Sequence, residues 1–298
     1  MNAMSDISVS GEKVPPYHMF YINGEPEEAR LARHLILDAF CDLEFYERNH
    51  VYILNGECLP SVSSIGSRFE SKPFDKFSQA ARYAERHGNT LEYWIEQWER
   101  NSFRATSLGT KTHEFGESLA YLKAGHAEFI RPSVSRQFLE SCSYLAPIHP
   151  KEEAVERFLV EMPESFHLVI NEARVYSGKN PNPSLNLRER VCGTFDMLYY
   201  YDGEGHPERA GYVLFDYKTN RDLYSEFNQR NHIMLLPPFD DFFQESYGEY
   251  AIQLSLYALM LEDIGLNVLD RRVVWLKDNG TYECLSLPDL SARLRAVI

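Results

Sequence analysis

Apolar and polar positions change period along this chain, and the changes mark its elements. Residues 1–16 are polar and read as a flexible lead-in. His50-Val51-Tyr52-Ile53-Leu54 runs into Asn55-Gly56, the strongest short hairpin signal, and continues at Cys58-Leu59, so a strand pair is predicted there. From about Asp75 to Glu128 the pattern is helical, with Tyr93, Trp94, Trp98, Leu119, Tyr121 and Leu122 supplying apolar faces. Pro150 followed by early glutamates starts another helix over 150–162. Then β-branched and aromatic residues dominate. Phe166 to Tyr176 predicts a strand, and Asn180-Pro181-Asn182-Pro183 a loop. Val191 to Tyr200 and Gly211 to Tyr217 flank the polar link Tyr201 to Pro207, which predicts an antiparallel hairpin. Residues 221–248 look irregular, Glu249 to Ile264 a strong helix, and Arg272 to Leu276 a strand. Helices on both sides of a central sheet in the chain order predict one α/β domain over 17–298. Within it, 17–105 would be an N-terminal hairpin and helical elaboration, and 106–298 the core.

The hairpin carries the first candidate chemistry. If its arms pair symmetrically about His206, Asp196 and Asp216 face each other, each ten residues from that centre. Directly opposed residues have Cβ atoms about 4.5–5.5 Å apart. Alternation puts Lys218 on the face of Asp216. Two carboxylates held that close favour a cation between them, and hard oxygen ligands select Mg²⁺ or Mn²⁺. Two surface aspartates with Lys218 as a salt-bridge partner would fit these residues equally well, so other features must decide.

Composition narrows the field without choosing a function. No apolar run approaches the ~20 residues that span a bilayer, and the N-terminus has no apolar signal core; the expectation is a cytoplasmic protein with no membrane partner. The five cysteines (Cys41, Cys58, Cys142, Cys192, Cys284) form no CxxC pair, which argues against a zinc ribbon or disulfide framework. The net charge of −14 is awkward for a nucleic-acid partner. Its distribution softens that objection: residues 101–136 and 174–230 hold 13 basic against 11 acidic groups, and the remainder 17 against 33.

Two helical segments add polar groups at helical spacing. His113 and Glu117, in Gly109-Thr110-Lys111-Thr112-His113-Glu114-Phe115-Gly116-Glu117, share a face, as do Gln253 and Tyr257. Imidazole binds transition metals, and a carboxylate can bind the same ion or orient its ligand.

Taken in order, Gly-Thr-x-x-His-x-x-x-Glu (109–117), the strand residue Glu172, Gly-Thr-x-Asp (193–196), Asp-x-Lys-Thr (216–219) and Gln-x-x-x-Tyr (253–257) resemble RecB-like nucleases of the PD-(D/E)XK superfamily. The hairpin at 51–59 followed by Pro60-Ser61-Val62 is similar to the start of phage-type exonucleases of that group, as is the proline-bearing insertion before Gln253. The resemblance implies a restriction-endonuclease-like core, a mixed central sheet flanked by helices, and hydrolysis of DNA phosphodiesters with Mg²⁺ or Mn²⁺. It implies that Asp196 and Asp216 bind the metal with His113 and the Tyr217 carbonyl, and that Lys218 orients or activates the attacking water. Glu172 and Glu117 would be supporting acids, Glu117 within reach of the metal, while Gln253 and Tyr257 would position Lys218 or the DNA. A partly desolvated Lys218 beside a cation is expected to have a lowered pKa. Arg104, Lys111, Arg221 and Arg230 are the candidate phosphate contacts. Some relatives hold an iron–sulfur cluster; with only Cys284 beyond Cys192, none is expected here.

Two rival readings remain. One is a catalytically silent DNA-binding or scaffold module of the same fold. The other is a nuclease active only inside a complex such as CRISPR adaptation. Recombination or repair proteins are the expected partners; oligomeric state, polarity and metal number are left open.

Overall fold

The computed structural model describes residues 20–46 and 49–298. The expected lead-in, 1–16, lies outside the described residues. Helix α1 (Glu27–Phe40) buries Ala29, Ala32, Ile36 and Phe40, a 3-4-4 spacing that makes one apolar face. That face also carries Arg33, fully buried, which donates to the carbonyls of Val169 and Phe20 at 2.7 Å and pairs with Glu25. A charge at that depth requires such a set of acceptors.

Strands β1 (Leu43–Tyr46), β2 (Val51–Leu54) and β3 (Glu57–Leu59) form a small antiparallel sheet. Its predicted turn is present: Asn55 and Gly56 both have positive φ, 52° and 84°, as a two-residue hairpin of this hand requires. Helix α2 (Val62–Gly66) follows. Helices α3 (Lys76–His87), capped by Asp75, and α4 (Leu91–Lys123), capped by Thr90, form a hairpin. The 33 residues of α4 span about 50 Å. Its first half is mostly exposed, whereas Thr112 and Phe115 to Tyr121 enter the core.

A two-stranded ribbon, β4 (Phe138–Leu139) and β5 (Tyr144–Leu145), leads to α5 (Pro150–Glu161), with proline in its first turn beside Glu152 and Glu153. The long strands follow: β6 (Phe166–Tyr176), β7 (Cys192–Tyr201) and β8 (Gly211–Lys218). After a short α6 (Glu226–Arg230) come α7 (Ser246–Glu262), β9 (Val268–Leu276), β10 (Tyr282–Ser286) and α8 (Ser291–Val297). The main sheet runs β10-β9-β8-β7-β6, parallel only between β8 and β9, which α7 connects. The fold is therefore mixed α/β.

The sheet separates two apolar cores. One joins α1 and α7 to Leu198, Tyr200 and Leu214; the other joins α4 and α5 to Met197, Tyr199, Val213, Phe215 and Tyr217. Each fully buried large apolar side chain contributes roughly 1.5–3 kcal/mol, so both faces hold the sheet firmly. Among the described residues no helix is long and apolar enough to cross a membrane.

The sequence reading passed over α1, β1, α2, β4, β5, β10 and α8, and α6 lies within the stretch 221–248 expected to be irregular. In α1 the apolar stripe is broken by Arg33 and His34, so the helix does not declare itself in the pattern alone.

Candidate functional site

The site begins where two strands stop pairing. β7 and β8 pair from Tyr201↔Gly211 to Met197↔Phe215, in the register centred on His206 that symmetry anticipated. That register would oppose Asp196 to Asp216 next, but the ladder ends one pair short. Instead the Tyr217 N–H donates to Asp196 Oδ2 at 2.7 Å. Beyond this point β7 continues alongside β6 and β8 alongside β9, so the sheet forks. A cleft of about 720 Å³ opens there.

Glu172 enters the fork through an unusual backbone. It lies between Asn171↔Met197 and Ala173↔Phe195, hence opposite Asp196, yet its φ is 50° in the middle of an eleven-residue strand. A non-glycine residue in the left-handed region costs on the order of 1–3 kcal/mol, and such strain clusters at functional sites. The irregularity also changes which side the strand presents: Ile170 and Ala173, an odd number of residues apart, both belong to the α1–α7 core.

His113 reaches the same place from α4. Close approach of this helix depends on Gly116, where a Cβ would lie 2.7 Å from the Tyr217 ring; the His113 and Tyr217 rings meet edge-on at 5.9 Å. His113 Nδ1 lies 3.2 Å from Asp196 Oδ2 and 3.9 Å from Glu172 Oε1. One donor atom from each of His113, Glu172 and Asp196 falls within 4.8 Å of the others. A nitrogen and two carboxylate oxygens suit a hard or borderline divalent cation such as Mn²⁺ or Mg²⁺.

Asp216 and Lys218 occupy the other side of the fork. Phe215 and Tyr217 face α4 and α5, so alternation turns Asp216 and Lys218 toward α7. The Lys218 ammonium sits 2.5 Å from Asp216 Oδ2, 3.4 Å from Gln253 Oε1 and 4.4 Å above the Tyr250 ring. That Asp216 oxygen is buried and has no aligned hydrogen-bond donor, so it retains capacity for another cation. Tyr257, one turn from Gln253, packs against the start of β7, and only glycine fits beside it: a Cβ on Gly193 would lie 2.6 Å from the Tyr257 hydroxyl. The glycines of the two Gly-containing motifs thus serve close packing of α4 and α7 on the sheet.

The electrostatics follow from crowding three carboxylates. Asp216 is pushed up to about 6 by enclosure and by Asp196 beside it, against the pull of Lys218. Enclosure and Asp196 also raise Glu172 well above the carboxylate range. Asp196 stays low: enclosure opposes its charge, but His113, Lys218 and the Tyr217 N–H outweigh that. Enclosure favours a neutral His113 ring, yet Asp196 and Glu172 raise it to about 9. Lys218 corrects the expectation of a lowered pKa. Enclosure acts in that direction and is the largest single influence, but Asp216, Tyr250 and Asp196 together outweigh it and raise Lys218 above the ordinary lysine value.

The remaining candidates divide. Glu117 does not join the His113–Glu172–Asp196 group; it is gripped by Arg131, with Nε at 2.5 Å and Nη2 at 3.1 Å. Arg104 and Lys111 fall about half a turn away from His113 around α4, on the side opposite the cleft-lining residues Thr106, Gly109, His113 and Glu117. Arg221 pairs with Asp222 and Arg230 with Glu226, both exposed and outside the cleft lining. The cleft instead contains Arg131 and Arg174, which sequence reading did not single out. It also contains Tyr52, whose hydroxyl meets Thr194 Oγ1 at 3.0 Å and ties the N-terminal hairpin to β7. No local pattern marks these residues, since each acquires its role from a partner distant in sequence. Tyr250, seven residues before Tyr257 on α7, could have been found from the helical spacing already noted for Gln253 and Tyr257.

No protein-family model matches the chain, and comparison with curated proteins returns no match.

Proposed function

We propose that the chain is a divalent-metal-dependent nuclease of the PD-(D/E)XK kind that hydrolyses DNA phosphodiesters, acting as an exonuclease in phage recombination or DNA repair in the cytoplasm. One observation carries the reading: the His113–Glu172–Asp196 donor group and the Asp216–Lys218 pair, drawn from four elements, converge at one fork in the sheet. Surface charges without a task are seldom gathered in this way, because assembling them costs repulsion and desolvation. The cleft lining is itself acidic, with Glu114, Glu117, Glu172, Asp196 and Asp216 against Arg131, Arg174 and Lys218, so bound divalent cations would be needed to draw DNA into it.

His113, Asp196 and Glu172 would hold Mg²⁺ or Mn²⁺, with Asp216 and the Tyr217 carbonyl completing the set. Once bound, the cation supplies Lewis acidity toward the phosphoryl oxygen and lowers the pKa of water. The residues do the rest. Asp196 is already ionised and oriented by the Tyr217 N–H. Lys218, fully protonated under Asp216, donates hydrogen bonds and stabilises charge developing on the phosphate, so its role is that of an orienting cation and not a base. Gln253 and Tyr250 hold the ammonium from the α7 side.

Purified protein is expected to degrade linear DNA with Mg²⁺ or Mn²⁺ and to stop on chelation. Asp216→Ala and Lys218→Ala should each cut the rate by about 10²–10³-fold. Undiminished degradation by both variants would overturn the assignment. Binding of DNA without cleavage under any metal would favour the silent module.

A further inference from the structure

Arg131 is a cleft cation that the proposed reaction does not yet use. It follows the short turn after α4, where its backbone N–H donates to Ser118 Oγ at 2.9 Å and pins the turn to the helix. Its guanidinium lies side-on against Glu117, through Nε and Nη2. Glu117 is one helical turn from His113 and only 9% exposed, whereas the Arg131 side chain is 43% exposed and borders the cleft. One edge of the guanidinium is therefore committed to a buried carboxylate. Among the described residues Nη1 has no acceptor, and the planar group offers five N–H donors in all.

Pairing with Arg131 offsets the burial of the Glu117 charge, a task that occupies only one edge of the guanidinium. The arrangement also suits recognition. A guanidinium held by one edge presents the other in a set direction, the geometry that matches a phosphate. The charges of Glu172 and Glu114 also act on Arg131. Arg104, Lys111, Arg221 and Arg230 cannot replace it, lying away from the cleft lining.

We propose that Arg131, held by Glu117, is a phosphate-positioning residue whose outer N–H edge binds a non-bridging oxygen of one backbone phosphate beside the metal site. This rests on the nuclease reading and adds to it a specific subsite, with Glu117 supporting that subsite and not the metal. A lysine is a poor substitute, since its compact ammonium has no planar fork to lie side-on against Glu117 while presenting a second edge in a fixed direction.

The test is equilibrium binding, not turnover. Fluorescein-labelled DNA carrying one neutral methylphosphonate, moved position by position from the end, is titrated by anisotropy in Ca²⁺ against wild type, Arg131→Lys and Glu117→Gln. Wild type should lose about tenfold in affinity at one position. In Arg131→Lys, with an unchanged melting temperature, the penalty at that position should fall below twofold while penalties elsewhere persist. Glu117→Gln should blunt it partly, and Mn²⁺ affinity should stay within threefold in both variants. An equal penalty profile in wild type and folded Arg131→Lys overturns the subsite and leaves the nuclease reading standing. Absence of DNA binding by wild type in Ca²⁺, Mg²⁺ and Mn²⁺ alike overturns both.

Discussion

The two ends of the β7–β8 ribbon are built from the same strands and behave as opposites. At the turn end, Met197 to Tyr201 pair fully with Gly211 to Phe215, and aromatic rings close the space: Tyr199 meets Phe215 at 5.6 Å and Phe166 meets Tyr201 at 5.1 Å. Backbone groups satisfy one another and most side chains pack, with Tyr212 donating to the Glu28 carbonyl. At the fork end the ladder stops, a carboxylate takes the place of a backbone acceptor, and Glu172 adopts a conformation that strands avoid. Stability is concentrated at one end and unspent interaction capacity at the other. A site that binds a cation has to keep capacity in reserve, and the sheet keeps it where pairing is released.

Breaking the closed end should give the largest effect on folding. Phe215→Ala removes a fully buried ring and should cost about 3–5 kcal/mol in denaturant unfolding, with Mn²⁺ affinity of the folded fraction unchanged. A parallel loss of metal affinity would mean the two ends are not separable. At the open end, Gly193→Ala forces a methyl against Tyr257 and should cost about 1–3 kcal/mol, together with slower DNA cleavage; a neutral effect on both would show that Tyr257 moves freely.

Metal binding should depend on pH through His113. Its ring, raised to about 9, must lose a proton to bind a cation, so affinity should rise roughly tenfold per unit from pH 7 until it levels off near pH 9. Calorimetry in buffers of different ionisation enthalpy should register release of about one proton, and a flat profile would remove His113 from the ligand set.

The smallest effect has the opposite sign to ordinary damage. Glu172 has a raised pKa in the folded state, so whatever it contributes is complete at low pH and lost as pH rises through that value. Glu172→Gln should therefore raise the metal-free melting temperature at pH 8 by roughly 2–4 °C, the response to about 1 kcal/mol in a chain of similar size. The gain should vanish at pH 4 and reverse with Mn²⁺ present. Destabilisation at pH 8 without metal would mean that the carboxylate is structural.

Local pattern made much of this legible. The Asn55-Gly56 turn, β6 to its end residues, the β7–β8 register about His206, and α7 all follow from turn chemistry, alternation and helical spacing, which act between near neighbours. So did Asp196, Asp216 and Lys218 at the fork, whereas His113 was joined to them only by the family resemblance. What they do to one another was less legible. Lys218 looked like a depressed amine until Asp216 proved to be in contact, and Glu117 looked like a ligand until Arg131 arrived from a loop fourteen residues on. Arg104 and Lys111 are basic by sequence and misplaced by helix rotation.

The chain order alone determined the long strands β6, β7 and β8, which two would form the ribbon, and which charged groups that ribbon would carry, since these depend on contacts within a few residues or on one short link. Tertiary structure decided where pairing ends, which face each carboxylate takes, and which cation each one meets. Those outcomes depend on α4, α7 and the Arg131 loop converging from distant parts of the chain, and charge interactions depend on distance through space, which sequence separation does not encode.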